Sequence, residues 1–207
     1  FTPYYKRGCL AKPLPAKPET LTPNLSNHNF KETRLESLGL LSGKIWEKKI
    51  LSNWDISELS ALNLMKRFFS GKLNNYAEGR NFPSRDNVSR LSPYIHWGQL
   101  SVNTLWCEAE KLELKGNDLN LEIFKSELAW REFAYYLLYH YPTLSKENLQ
   151  TKFDKFPWKK NSKLLNAWKK GLTGYPIVDA GMRELYETGW MHNRVRMVVG
   201  SFLVKHL

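Results

Sequence analysis

The longest unbroken helical pattern in this chain runs from Asp118 to Pro142, and it limits the fold more than any other feature. Leu121, Phe124, Leu128, Tyr135 and Tyr139 fall within about 60° of one another at roughly 100° per residue, so one face is apolar along the whole helix. A stripe of that length needs other elements to cover it. No run in the sequence alternates convincingly with period two, so those covering elements are helices as well and the expected fold class is all-α.

Shorter helical patterns flank the long one. Ile56, Leu59, Leu62 and Phe69 predict a helix over about 56–70, capped by Asp55 or Ser52 and broken at Gly71. A short turn around Tyr76 leads into a basic loop from Arg80 to Ser92. Ser101 then caps a segment to about Leu114, and Gly116 ends it. Past Pro142 the pattern gives a helix capped by Ser162 and ended by Gly171, another from Pro176 to Thr188 with Gly189 after it, and a last one from Met191. Pro3, Pro13, Pro15, Pro18 and Pro23 crowd the first 23 residues, where no regular helix or central strand is expected. The expected organisation is an irregular linker over 1–52 and a helical domain over 53–207. Phe1 in place of an initiator Met, and an apolar helical pattern still running at Leu207, are expected of a segment of a longer chain.

Charge narrows the partners. Lys and Arg number 31 against 20 Asp and Glu, a net charge of +11, which suits an anionic polymer and points first to nucleic acid. No apolar run approaches the roughly 18 residues of a membrane span. Two cysteines, Cys9 and Cys107, cannot frame a disulfide-rich fold or a structural zinc site, so the expected compartment is reducing, and the expected location is the cytoplasm. The 8 Trp, 10 Tyr and 10 Phe are read first as a large aromatic core, with stacking or electron transfer as the further use.

Hydrolytic and metal signatures are missing: there is no HExxH, Cys-x-x-Cys, GxSxG or P-loop, and His140, His192 and His206 share no ligand spacing. Gly171-Leu172-Thr173-Gly174 follows no strand and reads as a helix stop and a turn. The loop from Ser84 to Ser92, with Arg85, Ser89, Arg90 and Ser92, suits a diphosphate as well as it suits a solvated basic loop. Beside its core stripe the long helix carries Glu127, Trp130, Arg131 and Ala134, a face able to grip a base or a flavin or to serve as an aromatic core edge with an Arg–Glu pair. In the last helix Asn193, Arg196, Met197 and Gly200 lie on one side, with Val195, Val198, Val199 and Phe202 as packing.

Four strings, RLSPYIHWGQLS (90–101), ELAWREFAYYLLYHYP (127–142), AWKKGLTGYPIVDAGMREL (167–185) and TGWMHNRVRMVVGSFLVK (188–205), resemble the flavin domain of the photolyase and cryptochrome family. The opening FTPYYKR resembles the junction where that family's N-terminal α/β antenna domain meets its linker. The resemblance implies a helical FAD-binding domain, here its linker and first part, with an antenna chromophore of unknown identity in the N-terminal domain. It implies that Tyr76 and the loop Val88, Ser89, Arg90, Leu91 and Ser92 hold the FAD phosphates, Val88 standing where the family has Thr and so lacking one hydroxyl donor. Phe124 and Arg131 would approach the flavin. Glu127 would hydrogen-bond a pyrimidine dimer and stabilise its radical anion, Trp130 would stack on it, and Asn193 with Met197 would line the other side. Arg80 and Arg194 would contact DNA phosphates, and Trp168 would be the surface end of an electron-relaying tryptophan chain, the alternative for it being an amphipathic anchor that packs on the next helix. The implied activity is light-driven splitting of cyclobutane pyrimidine dimers in UV-damaged DNA by a monomeric deoxyribodipyrimidine photo-lyase, this segment alone being inactive. The alternative is a cryptochrome-type blue-light photoreceptor, and a third reading is a segment that only binds DNA. Asn193 within Met191–Met197 resembles the repair branch, since plant cryptochromes tend to have Asp there.

Overall fold

The computed structural model of the chain describes residues 1–16, 18–19, 33–113 and 118–207. Among these residues there is no strand, and nine α-helices follow in order: α1 (Ile45–Leu51), α2 (Glu58–Ser70), α3 (Tyr76–Gly79), α4 (Ser92–His96), α5 (Val102–Glu113), α6 (Leu119–His140), α7 (Ser162–Lys169), α8 (Pro176–Thr188) and α9 (Asn193–His206). The chain divides into two compact units. One holds Phe1–Pro18 with Ile56–Lys160, and the other holds Glu19–Asp55 with Asn161–Leu207.

The first unit is built around α6. Asp118 starts the helix by accepting from Asn120 N, and Leu121, Phe124 and Leu128 are buried as the stripe requires. Phe124 packs on Phe68 at 4.9 Å and on Phe69 and Tyr76 edge to face, which joins α2, α3 and α6 through aromatic rings. Lys125 is also buried, its charge answered by Glu110 of α5 at 2.6 Å and by the Trp106 ring. The second half of the stripe differs from expectation, because Tyr139 is 82% exposed and Tyr135 about half exposed. Periodicity gave the apolar face of α6 correctly, but it cannot say how far along the helix a partner extends.

Other expectations need correcting. The buried face of α2 is Ala61, Met65 and Phe68, spaced for a helix, while Ile56 and Leu59 are exposed. Its cap is Ser57, whose hydroxyl accepts from Ser60 N, so the helix begins after Ile56 and that residue cannot belong to its stripe. Residues Tyr4–Leu10 form π-helical turns where proline was expected to forbid helix. Pro3 stands at the helix N-terminus, where its missing N–H costs nothing, and no further proline follows until Pro13. Tyr4 then packs on Phe133 and Tyr136 of α6. A further helix, α1, lies within the stretch expected to be irregular. The expected features at residues 20–32, at Leu114 and at Gly116 lie outside the described residues.

The second unit is a three-helix assembly of α1, α8 and α9 with α7 against α8. Pro176 opens α8 and Gly189 closes it at φ 72°, as the sequence indicated. Gly189 also sits under α1, where an added Cβ would press on Ile50 at 3.0 Å. On the opposite contact, Gly181 lets α8 approach α9 so closely that a Cβ there would collide with Val195 and crowd Val199. Val178, Met182, Met191, Val195 and Val199 form the core. The caps of α7 and α9 are Asn161 and His192, one residue before Ser162 and one after Met191, and each accepts from a backbone N–H of the first turn.

Candidate functional site

The basic loop between α3 and α4 is pinned at its near end. Lys72 pairs with Asp86 at 2.6 Å, and Arg85 pairs with Glu78 at 2.7 Å while lying over the Phe82 ring. Arg85 is therefore committed to Glu78, which the expectation of a phosphate-wrapping Arg85 did not foresee. At the far end the geometry changes. Arg90 has φ 54°, the one positive φ at a non-glycine position among the described residues, and Leu91 follows in the right-handed helical region. Such a left–right pair of residues turns successive N–H groups toward one side and builds an anion-binding concavity at the price of local strain. Ser89 Oγ accepts from Leu91 N at 3.4 Å, and Ser92 is exposed at the start of α4. Val88 is half-buried and, as read from the sequence, has no hydroxyl to offer.

Tyr76 is buried, its ring edge-on to Phe68, and the Arg80 guanidinium lies 5.4 Å from its centre. Arg80 also pairs with Glu127 Oε1 at 2.7 Å. Two residues expected to reach a ligand separately are thus joined to each other. The pair engages one carboxylate oxygen of Glu127 and holds the side chain in place. Trp130, one turn on, is 46% exposed and stacks on Phe1 with centroids 3.6 Å apart and planes 6° from parallel. Arg131 turns to its own helix, donating to Glu132 at 2.8 Å and lying over Tyr135. Phe124 is in the core cluster described above.

Asn193, Arg194, Met197 and Trp168 belong to the second unit. Asn193 and Met197 are exposed on α9, and Arg194 Nη1 is 3.4 Å from Met197 Sδ. Trp168 was expected at the surface. It is half-buried against the α8–α9 core, and its indole N–H donates to the carbonyl of Val199 at 3.2 Å. An indole at the edge of a small core fills the gap that α7 leaves above α9, so the observed part of Trp168 is to anchor α7.

Asp179, which sequence reasoning passed over, organises the turn after α7. It is buried and accepts from Thr173 Oγ1, Thr173 N and Gly174 N at 2.6–2.9 Å. The Thr173 hydroxyl above all, then the two backbone donors and the nearby Arg183 charge, hold its carboxyl below the usual carboxylate range. Arg183 in turn donates through Nε and Nη2 to the carbonyl of Gly171. The available signal was an acidic residue in the first turn of α8 just after a Gly-x-Thr-Gly turn.

The chain is similar to known proteins in sequence and in fold. A family model described as the FAD binding domain of DNA photolyase matches residues 124–207. A deoxyribodipyrimidine photo-lyase of Agrobacterium fabrum is 43% identical over 180 residues, which cover 86% of this chain and 37% of that protein. Cryptochrome-2 of Arabidopsis thaliana is 37% identical over 161 residues, 74% of this chain and 26% of its own length. The crystal structure of a bacterial class III photolyase from Agrobacterium tumefaciens superposes with a TM-score of 0.83 at 42% identity, covering 88% of this chain and 38% of that one. The chain spans well under half the length of these relatives. Over the part it shares with them, in sequence and in all-α fold alike, the chain belongs to the photolyase and cryptochrome family.

Proposed function

We propose that this chain is part of a light-driven DNA repair enzyme that splits cyclobutane pyrimidine dimers. The observation that supports this most is the α6 face on which Arg80 fixes Glu127 beside the stacking ring of Trp130. A carboxylate held by a guanidinium next to an exposed indole suits a flipped pyrimidine, which needs a hydrogen-bond acceptor for its edge and a flat surface for its face. Asn193 and Met197, both on α9, are further proposed lesion contacts, and Arg194, with the general basicity of the chain, would serve the DNA backbone. FAD fits the residues present: the loop around Arg90 and Leu91, with Ser89, Ser92 and Tyr76, would hold its phosphates, and Phe124 and Arg131 are its proposed flavin-side neighbours. When bound and reduced, it supplies the electron that blue light mobilises. The chain's own residues bind and orient the lesion, and Glu127 favours the negative charge that develops on it. A role for Trp168 in passing electrons is kept as part of this proposal beside its anchoring contact. An antenna chromophore of undefined chemistry, a monomeric state and a cytoplasmic location complete the reading. Among the described residues no helix is long and apolar enough to cross a membrane.

The test uses the full-length protein with FAD. Under blue light it should remove dimers from a dimer-containing oligonucleotide. Trp130→Ala should weaken binding to that oligonucleotide by about 1–3 kcal/mol while undamaged duplex is bound as before. Equal affinity for damaged and undamaged DNA, with no loss of dimers in light, overturns the proposal and favours the blue-light photoreceptor.

A further inference from the structure

In the second unit a cavity of about 290 Å³ lies where α7 ends against α8, walled by Lys169, Lys170, Met182, Arg183, Tyr186 and Glu187. Apart from Arg183, which ties the turn after α7, none of these residues enters the site described above. Three of the six are cations. Glu187, the only acid in the wall, is already neutralised: Lys49 of α1 donates to both of its oxygens at 2.8 Å. Lys169 and Lys170 form no ion pair among the described residues, and both are exposed. Arg183 is immobilised by its two bonds to Gly171 O, which leaves Nη1 with no acceptor among the described residues. Its charge is partly balanced by Asp179, whereas among the described residues no ion pair balances the two lysines. Tyr186 and Met182 add an apolar wall beside these donors.

We propose that this cavity is a phosphate subsite, in which Lys169, Lys170 and the free edge of Arg183 hold one phosphate group and Tyr186 supports the attached sugar. A fixed guanidinium is preorganised for oxyanions, and lysines without local partners lose no existing ion pair when an anion arrives. The volume is at the lower end of the roughly 300–1,000 Å³ of small-molecule pockets, which suits a single nucleotide unit and not a dinucleotide cofactor. A backbone phosphate of DNA and the phosphate of a free mononucleotide share this chemistry. The DNA source rests on the reading of the chain as part of a DNA-binding enzyme, and the test separates the two because it needs neither lesion nor light. The competing explanation for the lysines is that they complement the C-terminal end of α7.

The experiment compares the full-length protein with FAD and its Lys169→Gln, Lys170→Gln double variant, in the dark, on undamaged duplex across a salt series. With DNA as the source, affinity falls roughly five- to tenfold near 0.1 M salt, and the slope of log K against log salt becomes shallower by about 0.9. With a free nucleotide as the source, DNA binding is unchanged, but thymidine monophosphate binds the unmodified protein by calorimetry and not the variant. Either result supports the phosphate subsite. Unchanged DNA affinity and slope, together with unchanged or absent binding of thymidine monophosphate, overturns it. A drop in melting temperature alone would assign the lysines to the helix end. Failure of dimer repair in light leaves these readouts untouched.

Discussion

The α6 and α9 faces assigned to the lesion are held in opposite ways. On α6 each group is already engaged within its own unit: Glu127 by Arg80, Trp130 by Phe1, and Arg131 by Glu132 and Tyr135. On α9 the Asn193 and Met197 side chains stand exposed, and the support comes from behind, where Val195 and Val199 lock into Gly181 of α8. Under the proposed function, a ligand at α6 would have to exchange partners and match the bonds it displaces, whereas a ligand at α9 would add to side chains already exposed. Selectivity would follow from the first kind of contact and shape from the second.

The largest effect is expected where the α9 edge is supported. Gly181→Val puts branched carbon into Val195 and Val199, and should destabilise the second unit by about 3 kcal/mol, read as a lower urea midpoint of the full-length protein. A variant as stable as the parent would show that α9 does not depend on that close approach. Next comes the exchange on α6. Arg80→Ala leaves the half-buried Glu127 without its cation and should cost roughly 1–2 kcal/mol, with most of the loss absent when Glu127→Gln is already in place. Additive effects of the two substitutions would break the contrast, since Glu127 would then not depend on Arg80. The smallest effect belongs to the exposed side: Met197→Ala should change stability by no more than about 0.5 kcal/mol. A larger loss in thermal unfolding would mean that Met197 packs internally after all.

Much of this was legible in the sequence, for local reasons. The span of α8 could be read because Pro176 and Gly189 fix backbone angles by themselves, and the apolar face of α6 because helical period is a property of neighbouring residues. The face of α2 was misread in part: Leu62 and Phe69 are half-buried and Phe69 packs on Phe124, but fully buried Ala61 carries little hydrophobic weight, whereas exposed Ile56 and Leu59 carry much. At the candidate site, the family resemblance nominated residues but not their partners. The Phe1–Trp130 stack and the Arg80–Glu127 pair join residues far apart in the chain, and no spacing rule links them. Trp168 shows the same limit, since the sequence left it open between a surface indole and a packing anchor, and the specific partner, the carbonyl of Val199, came only from the structure.

The second unit is assembled from two stretches of chain with the whole of 56–160 between them. Its tie between Lys49 and Glu187 spans 138 positions, and that between Trp54 and the carbonyl of Thr188 spans 134. In equilibrium terms the separation matters little, because each doubling of a closing loop adds only about 0.6 kcal/mol. In time it matters more. At roughly 5–20 residues per second, α1 leaves the ribosome on the order of ten seconds before α8 exists, whereas every part of the first unit has by then been made. Nascent α1, whose Ile50 packs under Gly189 only after α8 is made, is thus open to chaperones and proteases for that interval.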